Sequence, residues 1–396
     1  MVQILNEIPN SRARRAELQY RLDRLERHER IQLLCLALDD PYPPLRHDVA
    51  EALQVELRAR YSEPDQLDEK LVQFLHQLVL GQQPAPELLD ALHLPAELVP
   101  ADSRRARMAA CVALEASPWP SKTAELLQPV LRDQEADLRY QAVIAVHRLV
   151  PSSQELHDVV VEALRDEDPE IVVVATQIAV KESWDDLLPE FLHARARLRG
   201  EDRLQITFSV GSLIDNSTLT PGDLPPEARG DMIVECVDSL RHEPHTASAI
   251  KTLGYLAARE AAEELVIVTK RWFAHPILKV EAAAALVDLG HPRGEEYLER
   301  SLKSRRKDAR GYALRVVGKR RLEKFFPELV DVATGKGYHA DTATLALADY
   351  GGPQARHILD ELARSHGDAE VRRLAHRALH RIPEIDPASF DATLDR

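Results

Sequence analysis

Residues 278–286 read LKVEAAAAL, residues 309–317 read ARGYALRVV and residues 371–379 read VRRLAHRAL; the same frame appears upstream as LRHDVAEAL (45–53), ARMAACVAL (106–114) and LRYQAVIAV (138–146). The middle residue forms a column along the chain: Ala110, Ala142, Ala175, Phe208, Ala249, Ala282, Ala313, Thr344 and Ala375, at spacings of 32, 33, 33, 41, 33, 31, 31 and 31 residues. Val49 stands in the same context 61 residues before Ala110, close to two further periods. An interval of this size marks a supersecondary unit too small to bury its own apolar face, which must stack on copies of itself.

The offsets within the frame predict a helix. An apolar residue precedes the column by four positions and usually a basic one by three, while another small or apolar residue follows by three. These positions share one helix face, on which a neighbouring helix can come close. A turn carrying acid or proline lies just upstream: Asp39-Asp40-Pro41, Asp133 to Asp137, Asp166 to Pro169, His275-Pro276 and Asp368. Acids placed there accept hydrogen bonds from the free N–H groups of the helix start and meet its positive dipole end. A second amphipathic stretch precedes the turn, as in LLQPVLRD (126–133), VVVEALRD (159–166) and ILDELARS (358–365). Each repeat is expected to be helix, turn, helix.

This unit, with its acidic turn, Val-Arg type pair and AAxAL core, resembles the HEAT repeat, in particular the short HEAT-like form found in bacterial proteins and phycobilin lyases. The resemblance extends over roughly residues 31 to 385 and weakens between Val55 and Ser103. It implies an all-α, HEAT-like α-solenoid, a superhelical array of roughly nine to eleven helical pairs whose second helices line a concave surface. It implies less about activity, because such arrays serve as scaffolds, adaptors and a few enzymes.

Composition agrees with a long core of Leu, Val and Ala: of 396 residues 44% are hydrophobic but only 5% aromatic. Cys35, Cys111 and Cys236 lie far apart in apolar helical patterns, as buried reduced thiols of a cytoplasmic protein would. The N-terminal stretch MVQILNEIPNSRARRAELQ does not read as a secretory signal, and no stretch is long and apolar enough to span a membrane, so no membrane insertion is expected.

Breaks in the period suggest the organisation. Residues 1–38, with a capping Ser11 and with Leu18, Leu22 and Leu25 at helical spacing, read as a lead-in helix that shields the first repeat. Residues 39–385 read as the repeat array. An irregular, proline-rich connection is expected near 81–103, and an inserted surface loop near 214–227, where LIDNSTLTPGDLPPEARGD enlarges one spacing to 41; the loop is expected to border the groove. Residues 386–396 read as an acidic tail.

Charge points to a candidate site. The formal net charge of -14 argues against nonspecific attraction of the whole molecule to nucleic acid or to an anionic membrane. Yet Lys303, Arg305, Arg306, Lys307, Arg310, Arg315, Lys319, Arg320, Arg321 and Lys324 face only Asp308 and Glu323 within their own stretch, a local balance of +8. Arg310 holds the recurring basic position also occupied by Arg46, Arg107, Arg139, Lys279 and Arg372, which the resemblance assigns to contact with the acidic turn of a neighbouring repeat. Arg315, Lys319 and Arg320, with Arg373, Arg377 and Arg381 in the last repeat, are the candidate partner-binding residues, a basic patch on the second helices suited to an acidic protein segment.

Catalytic readings fare less well. Deoxyhypusine hydroxylases of HEAT-like form carry repeated His-Glu pairs in register, whereas His28-Glu29 and His242-Glu243 here are out of register. His376 and His380 are four apart but no third ligand is identifiable, and no cofactor or metal motif is present. DNA glycosylases of HEAT-like form line a positive groove with tryptophans, whereas Trp119, Trp184 and Trp272 fall at helix ends or loops. A phycobilin-lyase-like chromophore-binding role would call for acids, bases and aromatics along a groove; Tyr140, Tyr312 and Tyr350 lie on second helices, but Tyr140 and Tyr312 sit beside the column as packing residues would. The sequence therefore reads as a noncatalytic interaction scaffold or adaptor, with a phycobilin-lyase-like chromophore-binding transferase or chaperone as the runner-up and a HEAT-like nucleic-acid-binding protein behind it.

Overall fold

Prolines set many of the helix starts. Pro43, Pro86, Pro120, Pro169, Pro226, Pro276 and Pro292 each open a helix, where a fixed φ and a missing N–H cost nothing. The computed structural model describes residues 11–58, 64–99, 103–241 and 244–380. Among these the regular structure is all helical, with 22 α-helices. The chain divides after Ser217 into two units.

In the first unit five helical pairs follow the lead-in Ser11–Leu22. Their second helices are Pro43–Arg58, Arg104–Leu114, Ala136–Leu149, Pro169–Glu182 and Gly200–Asn216, each packed on the next from Arg104–Leu114 onward. The second unit has five pairs among its described residues, with second helices Thr246–Tyr255, Pro276–Asp288, Lys307–Lys319, Ala340–Tyr350 and Ala369–Leu379 again side by side. Every column residue is buried: Phe208 is 8% exposed, and Val49, Ala110, Ala142, Ala175, Ala249, Ala282, Ala313, Thr344 and Ala375 are at 0%. Each unit thus has the expected all-α, HEAT-like solenoid arrangement of stacked pairs.

The small column residues permit unusually close approach. At Gly318 a Cβ would collide with the backbone carbonyl of Ala346 on the neighbouring second helix, so glycine is required there by contact with a rigid main chain. The packed helices run parallel: Tyr312 meets Glu281 at equivalent places in the Lys307–Lys319 and Pro276–Asp288 helices, and Arg320 meets Asp288 at their ends.

Three expectations change in detail. Residues 1–38 hold not one lead-in helix but two described helices, Ser11–Leu22 and Arg27–Leu36, the second already pairing with Pro43–Arg58. The 61-residue gap between Val49 and Ala110 is one repeat step, not two. Pro43–Arg58 packs directly on Arg104–Leu114, and Gln54 donates a 2.6 Å hydrogen bond to the Val112 carbonyl. The extra length is the irregular connection with its short helix Pro86–Ala91. The inserted loop is shorter than 214–227, because Gly200–Asn216 ends and Pro226–Ser239 begins inside that range; Thr220 and Asp223 cap its single 3-10 turn and buried Leu224 anchors it. The 386–396 tail lies outside the described residues.

The acidic turns act as the frame suggested, but only in part of the chain. Asp168 accepts the Glu170 N–H at 2.9 Å, and Arg107 and Arg139 reach the turns of the following repeats at Asp133 and Asp166. Arg139 grips Asp166 with two 2.8 Å hydrogen bonds and its own turn through the Asp133 carbonyl. Burial alone would raise the Asp166 pKa, but Arg139 and the turn N–H groups outweigh it and hold the carboxyl below its ordinary range. Such a group contributes stability that is complete above its ordinary pKa of about 3.9 and is lost as pH falls through that value to the depressed one.

Two outcomes are expected from thermal and denaturant unfolding. Gly318→Ala should destabilise by about 1–3 kcal/mol while keeping the helical circular dichroism spectrum, because the neighbouring helix has to move. Arg139→Met should cost about 2–4 kcal/mol at neutral pH, with the gap to the wild type narrowing below about pH 4 as Asp166 protonates; a constant gap down to acid unfolding would refute that role.

Candidate docking groove

Stacking parallel second helices at one-repeat intervals brings equal offsets together, and in the second unit this builds a groove. Lys251 and Tyr255 come from Thr246–Tyr255, Glu281 from Pro276–Asp288, Tyr312, Arg315 and Lys319 from Lys307–Lys319, Arg320 from its C-terminal end and Asp349 from Ala340–Tyr350. The cavity measures about 160 Å³. Four cationic side chains line it against two carboxylates.

The floor is a hydrogen-bonded network between repeats. Glu281, only 4% exposed, accepts the Tyr312 hydroxyl, which answers the cost of burying its charge. Burial first, then the hydrogen bond to Glu281 and its charge, push the Tyr312 hydroxyl well above the usual phenol range, so it stays a donor. Arg320 lies along the Asp288 carboxylate with contacts of 2.8 and 2.9 Å from Nε. Burial works against its charge, but Asp288 and Glu281 more than compensate, and its pKa is raised. Arg320 is therefore a pin between repeats, its side chain only 12% exposed. Tyr312 likewise does more than pack.

Arg315 and Lys319 are exposed on the rim and project from consecutive turns of one helix. They are the candidate residues that the groove brings together. Arg373 and Arg377, also exposed, lie on Ala369–Leu379 and do not line it; Arg373 is paired with Glu370 one turn back. Arg381 lies outside the described residues. No residue of the inserted loop lines this cavity. Lys251, Tyr255 and Asp349, which the frame did not single out, do line it. Asp349, one repeat away, and Lys251, two repeats away, were available as exposed polar positions on second helices, whereas Tyr255 is half-buried.

The basic run is thus not one patch. Lys303 pairs with Glu299, Lys324 with Glu295 and Arg320 with Asp288, while Arg305, Arg306 and Lys307 stand at the opposite end of the helix from Lys319. Arg310 also departs from expectation. The next turn, at 335–339, offers His339 where the first unit has a carboxylate, and the buried Nε of Arg310 has no hydrogen-bond partner. Burial, then the charge of Arg310, push the His339 pKa down.

Elsewhere Cys35, Cys111 and Cys236 are buried free thiols, and burial raises the pKa of Cys35 and Cys111. Trp119 is half-buried at the start of Pro120–Leu127, and Trp184 packs edge-on to His157 with ring centroids 4.9 Å apart. His376 and His380 rings are 6.1 Å apart, and no group of three His, Cys, Asp or Glu converges on a metal position among the described residues. His242-Glu243 lies outside the described residues. Among the described residues no helix is long and apolar enough to cross a membrane.

No family model matches the chain, and no curated protein matches it. Solved structures do resemble it. The complex of CpcE and CpcF of phycocyanin lyase from Nostoc is 16% identical, over 66% of this chain and 94% of that one, with a TM-score of 0.42. Kap121p is 14% identical over 96% of this chain and 44% of its own, with a TM-score of 0.46. Kap95p, solved with RanGDP, is 10% identical over 88% of this chain and 57% of its own, with a TM-score of 0.44. The chain spans less than half of Kap121p.

Substitutions should separate the pin from the rim. Arg320→Met, which leaves Asp288 and Glu281 with a missing countercharge, is expected to cost about 2–4 kcal/mol in chemical denaturation. Arg315→Ala should stay within about 0.5 kcal/mol of the wild type. Equal effects would mean that the two arginines have been assigned the wrong roles.

Proposed function

We propose that the chain is a noncatalytic cytoplasmic scaffold whose second unit takes an acidic protein segment across the groove edged by Arg315 and Lys319. The observation that carries this reading is the asymmetry of the lining: Arg320 is balanced by Asp288 in the floor, while Arg315 and Lys319 stand exposed above it. An acidic partner gains orientation and association rate from these two charges, and apolar side chains beside its acids prolong the complex. Arg373 and Arg377, exposed on Ala369–Leu379 outside the groove, are a separate second contact for a longer acidic segment.

The size of this groove weighs against its enclosing an open-chain tetrapyrrole. Acids, bases and tyrosines do meet here, which is the donor set an open-chain tetrapyrrole needs. At about 160 Å³, however, the cavity is smaller than the roughly 300–1,000 Å³ of pockets that enclose drug-sized ligands. It suits the tip of a side chain.

Fluorescence anisotropy with a labelled peptide of alternating glutamate and leucine checks the proposal. Binding should weaken as salt rises, and reversing Arg315 and Lys319 together to Glu should lower affinity at least about tenfold with an unchanged melting curve. Unaltered binding of the peptide by that double variant would defeat the reading.

A further inference from the structure

Three consecutive turns that open second helices in the second unit lack the acids that two turns of the first unit carry. In the first unit these turns read DQEAD at 133–137 and DED at 166–168, and their acids cap helix starts and receive arginines. In the second unit three successive turns read RWFAH (271–275), KSRRK (303–307) and GKGYH (335–339), without a single Asp or Glu. Because the helices that follow them are parallel neighbours, the three turns form one edge. Contact between two of them is direct: the Lys307 ammonium lies 3.8 Å from the centre of the Tyr338 ring.

This edge also carries the most exposed aromatic residues among those described. Trp272 is 87% exposed, Phe273 95% and Tyr338 71%. Arg271 fixes the Trp-Phe turn by donating a 2.5 Å hydrogen bond to the Leu240 carbonyl at the end of the Pro226–Ser239 helix, so the two rings stand on an anchored turn. Around them Arg305, Arg306 and Lys336 are exposed, and neither Arg305 nor Arg306 has an ion pair. Adjacent large apolar rings left in water beside unmatched cations fit a surface that is apolar within and anionic outside.

We propose that this edge docks on an anionic lipid bilayer, with Trp272 and Phe273 entering the interface while Arg305, Arg306, Lys307 and Lys336 meet the headgroups. A bilayer interface receives protruding rings without a complementary pocket, and tryptophan favours that depth. Single-stranded nucleic acid fits less well. It needs ring faces open for successive bases, and one face of Tyr338 already carries the Lys307 ammonium. The net charge of -14 repels an anionic surface from other faces, so docking is oriented. The edge lies at the opposite end of the second helices from Lys319 and is independent of the peptide groove.

Co-sedimentation of the full chain with vesicles tests this. At low salt the chain should pellet with phosphatidylcholine vesicles containing about one-third phosphatidylserine and not with phosphatidylcholine alone. Trp272→Ala with Phe273→Ala, and separately Arg305→Glu with Arg306→Glu, should each reduce partitioning at least about tenfold without moving the melting curve, all four residues being exposed. Wild-type tryptophan emission should shift to the blue on adding the anionic vesicles, and Trp272→Phe should abolish the shift. Reversing Arg315 and Lys319 should change vesicle partitioning by less than about threefold, which separates failure here from failure of the groove. Absence of pelleting with phosphatidylserine vesicles, or variants that pellet like the wild type, would overturn the proposal. So would capture of single-stranded oligothymidine by a chain that ignores vesicles.

Discussion

Everything in this molecule depends on how closely one second helix can approach the next. Alanine at the column, and glycine at Gly318 against the Ala346 backbone, let main chains rather than long side chains meet. Dispersion contacts are then dense, and the helices have little freedom to slide or rotate. The functional consequence is register. Residues at equal offsets in adjacent repeats become neighbours, so Tyr312 finds Glu281, Arg320 finds Asp288 and, in the first unit, Arg139 finds Asp166. A charge in this fold is read together with the residue about 30 positions away, and only secondarily with its neighbours in sequence.

That rule explains what was legible and what was not. The column, the parallel second helices and the turn chemistry could be read because they repeat with the period itself. The step from Val49 to Ala110 could not: an insertion carrying Pro86–Ala91 happened to bring one enlarged repeat close to the length of two. Counting residues cannot distinguish added connection from a degenerate repeat, whereas the Gln54 hydrogen bond to Val112 does. Proline misled in the opposite sense at 214–227. Pro226 looked like part of a loop, yet at the first helical position proline starts a helix.

The site was legible in part for the same reason. Arg315 and Lys319 were identifiable from helix spacing, being one turn apart and off the buried face. The balance of +8 was a property of a sequence window, and the carboxylates that answer it, Asp288 and Glu295, lie outside that window. What survives as exposed charge divides between two ends of one helix. Arg310 shows the limit of carrying a repeat's habits forward: its position is regular, but the next turn supplies His339 instead of an acid, and its Nε stays without a hydrogen bond.

The same scaffold therefore treats one edge in two ways. In the first unit, turn acids hold arginines and cap helices, a local solution that stabilises both partners. In the second, three consecutive turns give that up. His275 still caps through its ring nitrogen, but the starts at Lys307 and Ala340 have no side-chain cap, and three aromatic rings are left exposed to water. Each change opposes stability or solubility, and they fall on neighbouring turns rather than at scattered places. A foldable chain ordinarily brings local preferences into agreement with its packing, and clustered departures from that agreement are where function is expected. The packing beneath has not weakened, since Val280, Ala283, Leu314 and Ala343 under this edge are fully buried. An intact core beneath an unsatisfied surface is what a surface completed by a partner requires.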